Sequence, residues 1–271
     1  MEKKTIRIGV MSTRPCDIPQ DSIYASVLVG ASLAGATADV GCFDLRDDTG
    51  TNISDRNRKY CELTGLYWLW KNAPEDYIGL VHYRRFLGSR GFSFFKKPAD
   101  KIIREEEMRN ILQHCRIIVP RNRRYYIETL RSHYQHTHDP AHLEITRNVI
   151  REQCPEYLPD YDTVLERTYG HMFNISVMER GLTDQYCSWL FSILFEVEKL
   201  VDETGMTAFD LRYPGRISEI IFNVWLEHQI RNGNVTKDEI CELPYIFTGK
   251  QNLIKKAGGF LAGKFLHRKY D

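Results

Sequence analysis

One short segment restricts the fold more than any other, because it is a predicted buried strand that directly follows a predicted helix. Residues 76–83, DYIGLVHY, are apolar almost throughout, as in a central strand covered on both faces. The preceding segment 56–72 carries apolar side chains at the 3-4-3 spacing of a buried helix, which ends before Pro74. A helix that leads into a central strand predicts an α/β fold.

Other segments extend this pattern along the chain. A first strand is predicted over 5–14, and the apolar segment 22–35 is predicted as either a helix or a loop. A Gly, Ser and aromatic segment at 88–100 is interpreted as a mobile flap over a site. The remaining predictions are helices over 105–115, 141–166 with a proline break, 184–200 and 216–230, and strands over 116–120 and 170–178.

Composition narrows the class of protein. The 271 residues are 42% hydrophobic, enough for one large core, and 37 Lys and Arg against 36 Asp and Glu give a formal net charge of +1. A chain with this balance has no net electrostatic field that would attract nucleic acid, so no nucleic-acid partner is expected. The seven cysteines form no C-x-x-C pair and no apolar run reaches the ~18 residues of a membrane span, which predicts a soluble, cytoplasmic chain with reduced thiols.

The central strand ends in the motif HYRR at residues 82–85. Common nucleotide and hydrolase motifs are absent, but open α/β sheets bind ligands at the carboxyl ends of strands, where an arginine can hold a phosphate or carboxylate. On extended backbone Arg84 shares the side of His82, and Arg85 points away. The alternative is a structural arginine pair that forms salt bridges with the acidic loop at 47–48.

A polar set lies ahead of this strand. Side chains suited to a ribose, a base edge or a sugar are Asn52, Ser54, Asn57, Glu62 and Thr64. Structural roles compete with binding, because Ser54 is placed to cap the next helix and Arg58 and Glu62 have the i,i+4 spacing of an ion pair.

Several long motifs in fixed order resemble one bacterial family. They include NISDRNRKYCELTGLYWLWKN at 52–72 and GLVHYRR at 79–85, followed by related blocks at 117–138, 170–178 and 215–227. The resemblance runs from about Gly9 to Pro244. The family was first catalogued as a domain of unknown function, and its members are called capsular or exopolysaccharide biosynthesis glycosyltransferases.

The resemblance implies a GT-A-like fold with a mixed, mainly parallel sheet flanked by helices and a helical C-terminal part. It implies one glycosyltransferase domain over 1–250, with a donor half at about 1–120 and an acceptor half at about 121–250. The implied partners are a nucleotide sugar, expected to be a UDP-sugar such as UDP-galactofuranose, and a lipid-linked glycan acceptor. The basic, amphipathic tail 251–271 is expected either to contact the inner membrane face or to form a solvated helix.

The resemblance also raises the question of a metal. GT-A transferases place a D-x-D motif at the end of the strand that here finishes in His82, Tyr83 and Arg84. A departing nucleoside diphosphate needs its negative charge neutralised by either a divalent metal or fixed cations. We therefore expect a cofactor-free, metal-independent site in which His82, Arg84 and Arg85 face the diphosphate, while Mn²⁺ or Mg²⁺ is not excluded.

An inverting reaction needs a base for the acceptor hydroxyl. Glu219 is the candidate, because it shares a predicted helix face with Arg216 and Asn223. An exposed Arg216–Glu219 ion pair is the structural alternative. Asp48 and Asp184 are weaker candidates for the same role.

Acceptor binding is assigned to two later segments. The basic and aromatic segment 121–138 offers arginines for phosphate and rings for sugar faces, and 170–178 adds polar groups at a strand entry. The predicted acceptor and sugar contacts are Arg124, Tyr125, Tyr126, His133, His171, Asn174 and Arg216. His133 and His136 lack a nearby carboxylate pair, so no metal site is predicted there.

Two other classes of protein compete with an enzyme. A nucleotide-sugar or glycan-binding protein without turnover would present the same basic cleft. An RNA-binding protein could use the arginine and tyrosine residues of 121–138, although the near-neutral charge argues against it.

Overall fold

The computed structural model describes residues 4–34, 40–91 and 97–249. The tail 251–271 and part of the predicted flap, 92–96, lie outside the described residues. The strands are β1 (Ile6–Ser12), β2 (Tyr24–Leu28), β3 (Leu45–Arg46), β4 (Tyr77–His82), β5 (Arg85–Leu87), β6 (Ile117–Pro120), β7 (Arg123–Arg124), β8 (Tyr169–Gly170), β9 (Ser176–Glu179), β10 (Ile240–Leu243) and β11 (Tyr245–Phe247). The α-helices are α1 (Asn57–Tyr60), α2 (Leu63–Asn72), α3 (Glu105–Ile111), α4 (Leu130–Thr137), α5 (Ala141–Gln153), α6 (Leu158–Leu165), α7 (Arg180–Leu200) and α8 (Tyr213–Arg231).

The main sheet is mixed and mostly parallel. Its strands follow the order β10-β6-β9-β4-β1-β2-β3, with β5 beside β4 and β11 beside β5. Along the main path β9 alone is antiparallel to its two neighbours. This architecture, with a helical C-terminal part, confirms the predicted mixed α/β fold.

The strand β4 is central, as its apolar sequence predicts. Ile78 and Leu80 belong to one buried cluster together with α2 and α5 to α8. Tyr77 and Val81 belong to a second cluster together with α3. Alternating side chains therefore enter two cores, one on each face of the sheet.

Helix α2 lies very close to the first strand. A Cβ atom added at Gly9 of β1 would stand 2.8 Å from Leu69 Cδ1 of α2 and 3.1 Å from Val27 Cγ2 of β2. Only glycine leaves room for this approach. This contact holds α2 against β1 and β2, which end at the cavity described below. Glu62 lies at the start of α2.

The structure corrects three predictions about secondary structure. Segment 22–35 contains the strand β2, whose five residues are all buried. The predicted continuous helix over 56–72 is interrupted at Cys61, whose φ of 50° is left-handed, and becomes α1 and α2. The predicted strand 170–178 is divided, because Gly170 belongs to β8 and β9 begins only at Ser176. The other predicted helices and strands are confirmed, some of them with shorter bounds.

Six cysteines are free thiols, namely Cys16, Cys61, Cys115, Cys154, Cys187 and Cys241. Within the described ranges, none of the helices is long and apolar enough to cross a membrane.

Candidate active site

A cavity of about 640 Å³ opens where three neighbouring parallel strands end. Ser12 comes from the end of β1, Val29 follows β2, and His82 ends β4. The opposite wall is the start of α8, with Gly215, Arg216 and Glu219. This is the crevice in which open α/β sheets bind their ligands.

The motif at 82–85 forms a tight turn between β4 and β5. His82 pairs directly with Arg85 across the two antiparallel strands, and Tyr83 and Arg84 form the turn. All four residues line the cavity. The prediction that Arg85 points away from His82 is wrong, because it assumed an extended chain and the chain reverses direction instead.

The arginines of this turn are held by aromatic rings. The Arg84 guanidinium lies 4.6 Å from the centroid of Tyr83, and that of Arg85 lies 4.8 Å from the centroid of Phe173. The alternative partners at 47–48 are engaged elsewhere, since Asp48 pairs with Arg46 at 2.6 Å. Both arginines are therefore available to an anion in the cavity.

The cavity concentrates positive charge in a chain that is nearly neutral overall. It is lined by two glutamates, Glu62 and Glu219, and by six arginines, Arg58, Arg84, Arg85, Arg123, Arg212 and Arg216. In the part of the chain that the structure describes, no carboxylate lies within 4.0 Å of Arg84, Arg85 or Arg123. A formal excess of four positive charges with uncommitted guanidinium groups is suited to a polyanion such as a diphosphate.

Glu62 and His82 are fixed by a hydrogen-bond network beneath the cavity. His82 Nε2 lies 2.6 Å from the Phe173 carbonyl and 4.0 Å from Glu62 Oε1. Asn174 Nδ2 donates to Glu62 Oε1 at 2.7 Å, and its Oδ1 accepts from Ser218 Oγ at 2.9 Å. The predicted Arg58–Glu62 ion pair is not present among the described residues, because Glu62 is turned toward Asn174.

The backbone under this network is strained. Phe173 and Asn174 have φ angles of 75° and 54°, and Cys61, which lines the cavity, has 50°. Bulky residues rarely adopt left-handed backbone, and such residues gather at functional sites. The strained turn at 173–174 presents the Phe173 carbonyl to His82 and the Phe173 ring to Arg85.

Glu219 lies on the cavity wall with only 12% of its side chain exposed. Its Oε1 is 3.8 Å from Arg216 Nη1. Burial raises the pKa of Glu219, the Arg216 charge lowers it, and the Glu62 charge raises it again, leaving it above its ordinary value of 4.5. The predicted Arg216–Glu219 pair is therefore present, but the Glu219 side chain is largely buried rather than exposed.

A smaller cavity of about 70 Å³ lies on the other side of Glu219. It shares Arg123, Arg216 and Glu219 with the larger one and adds Tyr125 and His133. Burial lowers the pKa of His133, although Glu128 Oε2 lies 3.0 Å from its Nδ1. Glu219 therefore lines both an arginine-rich cavity and a smaller cavity that adds aromatic side chains.

Comparison with known proteins agrees with this architecture. A family model described as a domain of unknown function (DUF4422) matches residues 7–230. The chain belongs to the DUF4422 family. The resemblance stated from the sequence motifs is thereby confirmed, and a search of curated proteins finds no match.

A solved structure extends the comparison for this DUF4422 chain. The apo structure of WbbM, a bifunctional glycosyltransferase, is similar with a TM-score of 0.81 and 26% sequence identity. The similarity covers 91% of this chain and 46% of that one, so the chain spans less than half the length of WbbM. It confirms the GT-A-like assignment of the fold.

Some predicted site residues lie away from both cavities of this DUF4422 chain. Ser54 is fully buried and donates to Asp47 Oδ1 at 2.5 Å, while Asn52 donates to the Gly50 carbonyl at 3.0 Å. His171 Nδ1 lies 2.7 Å from the Pro120 carbonyl. These contacts give the three side chains structural roles.

The other predicted residues line one of the cavities, support a cavity residue or lie on the surface. Asn57, Glu62, Tyr83 and the residues of the 82–85 turn line the larger cavity, and Tyr125 and His133 line the smaller one. Asn174 supports Glu62 from behind. Arg124 and Tyr126 are on the surface, and Tyr126 is 81% exposed.

Sequence reasoning missed several residues of the larger cavity, among them Phe173 and Arg212. Arg123 belongs to the segment 121–138, whose arginines are predicted to bind phosphate, and it lines both cavities. Arg212 directly precedes α8, which has Pro214 in its first turn. Phe173 carries no local signal, because its position depends on an unusual φ angle.

The donor set of the cavity does not fit a divalent cation. Mg²⁺ and related ions prefer several oxygen ligands, whereas the end of β4 presents an imidazole, a phenol and a guanidinium. Across the described ranges, no three His, Cys, Asp or Glu side chains lie close enough together to hold a metal. Fixed arginines are the charges that this cavity offers to an anion.

Proposed function

We propose that this chain is a glycosyltransferase that moves a sugar from a nucleotide-sugar donor to a glycan acceptor. The observation that carries the proposal is the arginine-rich cavity at the carboxyl ends of β1, β2 and β4 in a GT-A-like fold. Similarity to a bifunctional glycosyltransferase supports it. The buried Glu219 between two cavities supports the same chemistry.

The donor diphosphate is proposed to bind Arg84, Arg85 and Arg123. Guanidinium groups form paired hydrogen bonds with phosphate oxygens and neutralise the charge that develops as the diphosphate leaves. His82 and Tyr83 complete this wall, and Asn57 and Glu62 are proposed to contact the ribose or the donor sugar. Because these cations are fixed in place, the transfer is proposed to need no metal.

The chemical step places Glu219 beside the acceptor. In an inverting transfer the acceptor hydroxyl oxygen bonds to the anomeric carbon, and the bond from that carbon to the diphosphate oxygen breaks. Its electron pair leaves with the nucleoside diphosphate, and the hydroxyl proton passes to Glu219. Tyr125 and His133 are proposed to position the acceptor, and Arg216 tunes the carboxylate.

The finer features rest on the resemblance seen in the sequence motifs. We propose a UDP-sugar donor, with UDP-galactofuranose among the candidates, and a lipid-linked acceptor in capsular, exopolysaccharide or O-antigen-type synthesis. The proposed location is the cytoplasm, at the inner face of the membrane.

The proposal is tested by thermal shift of the full chain with nucleoside mono- and diphosphates and nucleotide sugars. A ligand present at 100 times its Kd stabilises the native state by about 2.7 kcal/mol. We expect nucleoside diphosphates to raise Tm and monophosphates to do so less. Arg84→Ala should abolish the shift, and Arg151→Ala, an exposed arginine of α5, should retain it.

Turnover separates an enzyme from a binding protein. Release of nucleoside diphosphate from a bound nucleotide sugar, increased by added acceptor, is the expected result. Binding without release under any acceptor tested would favour a nucleotide-sugar-binding protein instead.

A further inference from the structure

An exposed apolar cluster lies on the small two-stranded sheet β7–β8. Tyr126 is 81% exposed, Ile127 64% and Tyr169 40%, and these are three of the seven exposed large apolar side chains among the described residues. Exposed apolar residues scattered singly need no explanation, but a cluster marks an interaction surface. The cluster lies outside both cavities.

The backbone holds these side chains together. Arg124 is directly opposite Tyr169 in the β7–β8 pairing, so their side chains are neighbours on one face. Tyr126 follows two residues later, and the Tyr125 amide donates to the Thr168 carbonyl at 2.8 Å. Tyr126 has a φ of 60°, so this exposed ring is carried on a strained backbone.

Two exposed arginines lie beside the apolar cluster along the chain. Arg121 and Arg124 are exposed, and in the described part of the chain neither has a carboxylate within 4.0 Å. Aromatic and aliphatic side chains bordered by arginines are typical of segments that rest in the interface of an anionic bilayer. We propose that Arg121, Arg124, Tyr126, Ile127 and Tyr169, the β7–β8 face, dock on an anionic membrane surface.

The position of the β7–β8 face relates the membrane contact to the two cavities. Arg123, next to Arg124, lines both the large and the small cavity. Docking through the β7–β8 face would therefore bring the aromatic cavity beside Glu219 close to the lipid headgroups. Delivery of a lipid-linked acceptor by this route rests on the proposed function, whereas the membrane contact does not.

The contact is tested by flotation of the full chain with vesicles of phosphatidylglycerol and phosphatidylcholine. We expect binding to the mixed vesicles, little binding to phosphatidylcholine alone, and loss in high salt. The double variant Tyr126→Ser/Ile127→Ser should lower the partition coefficient by about tenfold or more, because two apolar groups no longer enter the interface. Leu200→Ser, which removes an exposed apolar side chain at the end of α7, is the matched control and should bind like the unchanged chain.

A second variant keeps the test decisive if the first one unfolds. Arg124→Glu keeps the apolar side chains and should weaken binding to anionic vesicles while leaving Tm unchanged. The proposal is overturned if the full chain does not float, or if both variants float normally. It is also overturned if binding is lost only on changing Lys255, Lys256 and Lys264 of the tail to Gln. None of these measurements needs a donor or an acceptor, so their outcome is independent of glycosyl transfer.

Discussion

Glu219 illustrates how its surroundings change a common side chain into a candidate base. The sequence identifies the residue through its spacing from Arg216 on a helix face, but spacing cannot show whether that face is exposed. In the structure the carboxylate is 12% exposed beside two cavities, and burial raises its pKa. A carboxylate with a raised pKa is a stronger base near neutral pH.

Glu219→Gln should lower kcat by about 10² to 10⁴-fold while nucleoside diphosphate binding stays close to normal. The base must be ionised to accept a proton, so kcat/KM should fall as the pH falls through a pKa above 4.5. This acid limb should be missing from the residual activity of the variant. Steady-state kinetics between pH 4 and 9 provide the check, and full activity in Glu219→Gln would remove the residue from the mechanism.

The same change should not destabilise the fold at neutral pH. A carboxyl whose folded-state pKa is raised contributes stability below its unfolded pKa and loses that contribution as the pH rises through the folded pKa. Above the folded pKa the ionised Glu219 therefore gives no such contribution, and there Gln should match or exceed it in urea unfolding. A clear loss of stability at pH 7 would show that the Glu219 carboxylate is structural.

Asp47, in contrast to Glu219, is a buried carboxylate with a structural role. It accepts hydrogen bonds from the amides of Gly30 at 2.8 Å and Ala31 at 2.9 Å, and from the hydroxyls of Ser54 at 2.5 Å and Thr64 at 2.6 Å. These bonds join the loop after β2 to the start of α2, and they explain why Ser54 is unavailable to a ligand.

Asp47→Ala should lower the free energy of unfolding by about 3 kcal/mol or more, because several buried donors lose a charged acceptor together. Asp48→Ala is the matched control. Its carboxylate pairs with Arg46 at 2.6 Å, and an ion pair at the surface contributes little to stability. Urea unfolding of the two variants measures the difference, and equal losses would contradict this account.

At the scale of elements, helices α6 and α8 are joined by a buried ionic contact. Asp160 accepts from Arg231 Nε at 2.9 Å and lies 2.8 Å from His228 Nδ1. Burial alone would raise the pKa of Asp160, but hydrogen bonds from Arg231 and His228 hold it below its ordinary value. Since α8 begins at the cavity, this contact fixes the helix that presents Glu219.

The lowered pKa of Asp160 predicts a pH effect on stability. Its contribution is present above the unfolded pKa of about 3.9 and is lost as the pH falls through the lower folded value. Asp160→Asn should therefore destabilise the chain at pH 7 and flatten the loss of stability below pH 4. Urea midpoints between pH 2.5 and 7 test this, with Asp184→Asn, an exposed residue 3.7 Å from Arg180, as the control.

Most elements could be predicted from the sequence because their apolar spacing reflects a face that packs on the sheet. The strand β4 and the helices α7 and α8 are examples. The chain reversal at Tyr83 and Arg84 could not be predicted, since no glycine, proline or asparagine marks that turn. The helix break at Cys61 could not be predicted for the same reason, because no glycine marks the position with the left-handed φ.

At the scale of the whole molecule, folding collects arginines from distant parts of the chain. Arg58, Arg85, Arg123 and Arg216 line one cavity, although they are spread over more than half the sequence. The net charge of +1 conceals this concentration, so the sequence could predict the 82–85 cluster but not its full extent. These arginines belong to different elements. They come together at the cavity only when the fold brings the ends of β4 and β6 close to the start of α8.

The central claim is that these fixed arginines replace a metal at the diphosphate. The most direct measurement is release of nucleoside diphosphate from UDP-sugars by the full chain, in EDTA and with added Mn²⁺ or Mg²⁺. The account predicts that EDTA changes the rate by no more than about twofold, and that Arg84→Ala/Arg85→Ala lowers it by about 100-fold or more while Arg151→Ala does not. Loss of activity in EDTA that Mn²⁺ or Mg²⁺ restores would contradict it.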